Sequence, residues 1–227
     1  MHYPAEMLQM VRYLAGEMEF DVRHLPLVID DVNNGNISSL EKLHRERIDT
    51  RLRLERAERV LIEISSLKRI ELDVGGADPL YAGVTATKRL QGGVCDAEFV
   101  DLPDAMKLAS ECSIERYEAD RFFDDVKALV EFFGGRPVTL FSHFTATHPS
   151  TGQPIPERVR LGKWLADAAT RLNCEFFDQS AIVASLGEHV ALKDTSHFSD
   201  AGEHAAAISL REVIGGRDPA APLRQCA

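Results

Sequence analysis

The chain has 227 residues, of which 44% are hydrophobic and 27% charged, enough for one globular domain with a full core. Its formal net charge of −10 argues against nucleic acid and anionic membrane surfaces as partners. No apolar run approaches membrane-spanning length and the N-terminus lacks a basic-then-apolar signal pattern, so the sequence reads as a soluble, cytoplasmic protein.

The four cysteines, Cys95, Cys112, Cys174 and Cys226, are far apart and form no C-x-x-C pair. That pattern fits reduced thiols better than a disulfide framework or a cysteine-rich zinc site. Cys174, beside "EFFD", reads as a small buried residue rather than a nucleophile.

In chain order, "PAEMLQMVRYLAGEME" (4–19) has Pro4 near its start and apolar residues at helical spacing. "DVRHLPLVI" (21–29) is expected to be a strand ending in the turn-rich "DDVNNGN" (30–36). Ser38 or Ser39 can cap a long charged helix over about 40–57. Its arginines (Arg45, Arg47, Arg51, Arg53, Arg56) are interleaved with acids, as on a solvated helix face. "RVLIEIS" (59–65) is a short apolar run, expected for a strand covered on both faces.

The segment from about 73 to 115 contains Gly75-Gly76 and Gly92-Gly93 and is read as a loop-rich insertion or lid. A helix (119–134), a strand (137–144), a loop (145–156) and a second helix (157–173) follow. Then come a strand (174–180), a short helix and a last helix over about 200–213. "GGRDPAAPLRQCA" (215–227) is expected to be a flexible tail. Strand–helix alternation of this kind predicts a single α/β domain over 1–214, a three-layer α/β/α arrangement around a mainly parallel sheet.

In such sheets ligands bind beyond the carboxyl ends of the strands. Those ends carry Asn33, Asn34 and Gly35, then Ser65 and Ser66, then His143, then Asp178. They are expected to converge on "ALKDTSHFSDAGEHAAAIS" (191–209), with Ser199 or Asp200 opening the last helix. Asp194 and His197 are three residues apart. On a turn, that spacing lets the carboxylate accept a hydrogen bond from an imidazole nitrogen, fixing the tautomer of a general base. The bland alternative is a capping aspartate beside an exposed histidine. A metal reading, with His197, Asp200 and His204 on zinc and His189 as an optional fourth ligand, matches no zinc signature, and no metal or other cofactor is expected. Arg158 and Arg160 read as a solvated helix start, with anion binding as the alternative, and His148 as a loop residue.

The last block resembles that of the SGNH (GDSL-type) hydrolases, whose D-x-x-H precedes a small-residue-rich final helix. "DTSHFSDAGEHAAA" matches it as Asp194, His197 and Gly202, and the order of elements agrees over about residues 4–213. The resemblance implies a flavodoxin-like fold and an esterase, deacetylase or acyltransferase acting on an acylated small molecule or carbohydrate. His197 would be the base and Asp194 its orienter. "NNGN" resembles the family's glycine-bearing oxyanion block, which implies Asn34 and Gly35. "VLIEISSLK" stands where the G-x-N-D block follows a strand, with Ser65 or Ser66 in place of the asparagine; His143 would touch substrate. The alternative is a non-catalytic sugar- or metabolite-binding protein of the same fold. The family's G-D-S nucleophile block has no counterpart, since it would precede the helix at Pro4, where the sequence has only "MHY". A natural product extended upstream by a strand ending in serine or cysteine is therefore the expectation.

Overall fold

A computed structural model describes residues 3–76 and 78–215. In chain order it contains α1 (Pro4–Ala15), a 3-10 turn (Val22–His24), α2 (Leu25–Val28), α3 (Asp30–Asn33), α4 (Leu40–Arg56), β1 (Val60–Ile64), β2 (Lys68–Leu72) and β3 (Leu80–Tyr81). There follow α5 (Val84–Gln91), α6 (Leu102–Glu111), β4 (Ser113–Arg116), α7 (Ala119–Phe132), β5 (Val138–Ser142) and α8 (Pro156–Leu172). The last elements are β6 (Glu175–Phe177), α9 (Gln179–Leu186), α10 (Glu188–Ala191) and α11 (Asp200–Ile214). The fold is mixed α/β, with a three-stranded parallel sheet and helices, as the alternation predicts. Residues 216–227, most of the expected tail, lie outside the described residues.

Contacts divide the chain into two compact units, Met1–Glu58 with Ser66–Arg136, and Arg59–Ser65 with Pro137–Ala227.

The second unit holds the parallel sheet, in the order β1-β5-β6. Val60 to Ile64 pair in register with Val138 to Ser142, and Phe141 lies beside Phe177. β5, the central strand, buries Val138, Thr139 and Leu140. The buried Thr139 hydroxyl is satisfied by donating to Glu175 Oε2 at 2.7 Å, and that carboxylate also takes Arg59. β1 is an edge strand with one buried face, Val60, Ile62 and Ile64, while Leu61 faces solvent. It is therefore covered on one face, where both were expected. α8 packs on β5 and β6, burying Leu161, Leu165, Ala168 and Ala169.

The first unit is built on an antiparallel sheet, order β3-β2-β4. The expected strand over 21–29 is instead a 3-10 turn followed by α2. Asp21 starts the turn by accepting from the Arg23 N–H at 2.9 Å, and Pro26 sits in the first turn of α2, where its missing N–H is harmless. Leu25, Pro26, Leu27 and Val28 are all buried, so the run has no polar face from which its period could be read. Residues 73–115, read as an insertion, fold as β3, α5, α6 and the start of β4. They share a core of Leu27, Val28, Ile70, Leu72, Leu80 and Leu90.

α4 behaves largely as a solvated helix, capped by the Ser39 hydroxyl and buried only at Leu43. Arg45–Glu41 and Arg51–Glu55 form exposed i,i+4 pairs. Arg47 departs from that pattern, lying 4.1 Å over the Tyr13 ring.

Tyr3 fastens the start of α1 to the antiparallel sheet. It is fully buried, its hydroxyl lies 2.8 Å from the carbonyl oxygens of both Ile70 and Ala82, and it accepts from the Ile70 N–H at 3.2 Å. Burial raises its pKa well above the ordinary phenol value, so the proton needed for donation stays in place. Gln9 adds a reciprocal pair with the Tyr81 backbone, at 2.8 and 2.9 Å. Tyr3→Phe keeps the ring but strands buried backbone groups, and should cost about 1–3 kcal/mol in chemical denaturation. A loss indistinguishable from zero would contradict this role.

Candidate functional site

The block singled out in the sequence forms a closed loop between α10 and α11. Leu192 and Phe198 make an antiparallel bridge, and the N–H groups of Lys193 and Ser199 donate to His197 O and Ala191 O at 3.0 and 2.9 Å. Ser199, rather than Asp200, caps α11 by accepting from the Gly202 N–H at 3.2 Å. Gly202 is required because a Cβ there would sit 2.1 Å from Ala191 O and 2.6 Å from Phe198 Cδ1. Below the loop, Phe198 packs on Phe144 with ring centroids 4.5 Å apart, in a core with Val183 and Ala191.

Within the loop, His197 Nδ1 lies 2.9 and 2.8 Å from the two oxygens of Asp194. An ionised carboxylate only accepts, so Nδ1 carries the proton and Nε2 is left as the basic nitrogen. The side chains are 71% and 51% exposed. Asp194 Oδ1 also accepts from the Ser196 N–H at 2.7 Å. The Asp194 pKa is lowered, first by the His197 hydrogen bond and then by the Ser196 N–H. Among the described residues, no hydroxyl or thiol hydrogen-bonds to Nε2.

Arg158, in the first turn of α8, reaches the same loop. Its Nη1 donates to the carbonyl oxygens of Thr195 and Phe144, and its Nη2 to Ser196 Oγ at 3.2 Å. Sequence reading placed this arginine on a solvated helix start; its partners in the dyad loop, Thr195 and Ser196, lie 37 and 38 residues away, where no local pattern could find them.

The other expected site residues belong some to one unit and some to the other. In the second unit, Ser65 and His143 follow β1 and β5 at the same carboxyl edge, directly after the paired Ile64 and Ser142. His143 stacks on Phe144 at 4.6 Å, with Nδ1 3.8 Å from Glu63. Phe144 therefore joins His143 to the dyad loop. Asp178, after β6, caps α9 by accepting from the Ser180 N–H.

Asn34, Gly35 and Ser66 belong to the first unit. Asn34 is an exposed C-cap of α3. Gly35 has φ of 71°, and a Cβ there would lie 2.9 Å from Asp96, so glycine is demanded by both conformation and space. Asn33 is fully buried, accepting from Arg89 Nε at 2.6 Å and donating to Pro26 O at 3.3 Å. The Ser66 hydroxyl accepts from the Lys68 N–H at 2.9 Å, leading into β2.

A cavity of about 590 Å³ is lined wholly by the first unit, including Met10, Tyr13, Ile29, Asp30, Ile37 and Leu43. Among the described residues, no group of three or more His, Cys, Asp or Glu is placed to hold a metal ion. No helix among them is long and apolar enough to cross a membrane. Cys95, Cys112 and Cys174 are free and partly buried, and burial pushes the Cys112 thiol up to about 11; Cys226 lies outside the described residues.

Residues 1–75 and 86–210 match the family described as the TviD N-terminal domain. The chain belongs to this family. No curated protein matches it. Among solved structures it is similar to a catalytic mutant of Axe2, an acetylxylan esterase from Geobacillus stearothermophilus. That likeness has 18% identity and a TM-score of 0.40, over 82% of this chain and 72% of that one.

Two expectations follow from the loop. Asp194 should titrate below the ordinary aspartate value of about 3.9, and His197→Ala should raise it, because the largest cause of the depression is removed. With the folded value depressed, the stabilisation is present above the ordinary value and is lost as pH falls through the lowered one. Carboxyl-carbon NMR reads this directly, and an unshifted Asp194 in the wild type would refute it. Gly202→Ala should overpack the α10–α11 junction and destabilise the protein by about 1–3 kcal/mol, seen as an earlier denaturation midpoint.

Proposed function

We propose that this protein is an SGNH-like acyl-transfer enzyme, an esterase, deacetylase or O-acyltransferase, acting on an acylated small molecule or carbohydrate. The observation that carries the reading is the dyad, with Nδ1 tied to both oxygens of Asp194 and Nε2 free to accept. His197 Nε2 takes the proton of the attacking hydroxyl as its oxygen bonds to the acyl carbon. The tetrahedral intermediate then expels the alcohol oxygen, which recovers that proton from the imidazolium. Asp194 stays ionised throughout, holding the tautomer and stabilising the imidazolium. At the β1–β5 edge, the Ser65 hydroxyl or backbone N–H is the candidate donor to the oxyanion, and His143 the candidate contact to substrate.

A second reading, a non-catalytic sugar- or metabolite-binding protein, is supported by the cavity of the first unit, whose volume lies in the range of small-molecule sites. Turnover of a chromogenic acetyl ester separates the two. His197→Ala should lower kcat/KM by about a thousandfold or more, and Asp194→Asn should also be severe because the amide favours the wrong tautomer. Both variants should keep the wild-type circular dichroism. Wild-type turnover no faster than His197→Ala would put the binding reading ahead.

A further inference from the structure

We propose that Arg158 is the positioning residue of the Asp194–His197 dyad, fastening the two residues between them to the carboxyl end of β5. This rests on the dyad being the general base. Thr195 and Ser196 are the whole of the link between acid and base, and Arg158 holds both, one by its carbonyl and one by its hydroxyl. The same guanidinium donates to Phe144 O at 3.4 Å and lies 5.7 Å over the Phe144 ring. Three acceptors on two segments are thus bridged by one rigid planar group. A lysine ammonium, a point charge on a flexible stem, does not reproduce that fork.

The loop needs such a clamp. Its dyad side chains are mostly exposed, and exposed ion pairs contribute little on their own to holding a geometry. The bridge at Leu192–Phe198 closes its base, but Thr195 and Ser196 are at its tip. Among the described residues, the side-chain hydrogen bonds that reach these two residues from outside the loop come from Arg158. Partial burial lowers the Arg158 pKa while Asp194 pulls it back up, as expected for a cation drawn out of water toward this loop. Its hydrogen bonds go to Thr195, Ser196 and Phe144 and leave both Asp194 oxygens to His197 and the Ser196 N–H. Arg158 touches no reacting atom in this arrangement; it acts through the loop.

The test compares wild type, Arg158→Ala, Arg158→Lys and His197→Ala by acetyl-ester kinetics and by ¹⁵N NMR of the His197 ring. With Arg158 as the clamp, Arg158→Ala lowers kcat by about tenfold to a hundredfold, the scale of a small misplacement, with KM within about twofold. The ring then shifts from the single Nδ1–H tautomer toward a mixture, and the Asp194 carboxyl titrates higher than in wild type. Arg158→Lys recovers only part of each effect; should the alanine variant not fold, the lysine variant carries the same two readouts. Unchanged kcat and unchanged tautomer in folded Arg158 variants, beside an inactive His197→Ala, would overturn the proposal while leaving the general base intact. If His197→Ala is as active as wild type, the acyl-transfer reading fails, and an unchanged ring tautomer in the Arg158 variants then overturns the clamp as well.

Discussion

The geometry of the candidate site depends on closure of one loop by Phe198. Its backbone completes the bridge to Leu192, and its ring is shared between two apolar clusters, one with Phe144, Val183 and Ala191 and the other with Phe177, Ile182 and Val213. Hydrophobic burial is non-directional, so by itself it would hold the loop down without orienting it. Direction comes from the backbone on either side, where Ala191 O takes the Ser199 N–H and leaves no room for a side chain on Gly202. α11 therefore starts at a fixed point, and the five residues from Lys193 to His197 have little choice of path.

Electrostatics then refine what packing has closed. The dyad is exposed, so its hydrogen bonds contribute little to stability; their effect is to choose a tautomer. Two contacts from one imidazole nitrogen to both carboxylate oxygens leave the ring a single nitrogen with which to act as a base. The Ser196 N–H holds the carboxylate in its turn, and a local Asx turn of this kind forms readily from an aspartate two residues ahead of its donor.

That locality explains what was legible in the sequence. Asp194 and His197 meet because they are three residues apart on a turn, and Ser39 caps α4 for an equally local reason. Beyond residue 40, α4, β1, α7, β5, α8, β6 and α11 were legible from period and capping, with boundaries displaced by a few residues, whereas β2 was not read and β3, α5, α6 and β4 lay in the run read as a loop-rich insertion. The run 21–29 was not, because its apolar part, Leu25–Val28, is buried throughout and carries no period, and its helical outcome is set by Asp21, Pro26 and the core around Leu27. "NNGN" attracted notice for its glycine; the structure shows that Gly35 makes room for Asp96 and that buried Asn33 ties Pro26 to Arg89. Arg158 was legible only as a charge at a helix start, since its acceptors lie on loops distant in sequence.

The path of the chain places a further constraint on the second unit. β1 and β5 are parallel neighbours, and parallel neighbours cannot be joined by a hairpin. Here the crossover is Ser66–Arg136, which folds with the first unit. β1 must therefore pair with a strand that follows a long folded segment, a non-local contact whose closure entropy is met before its reward. Once formed, β1 remains an edge, with a buried row of Val60, Ile62 and Ile64 and an outward row of Leu61 and Glu63. An outward charge on an edge strand discourages pairing with another chain, and Glu63 supplies one. Its carboxylate also faces His143 across the β1–β5 pair, so the residue that protects the sheet edge stands beside the imidazole stacked on Phe144, the ring that anchors the dyad loop.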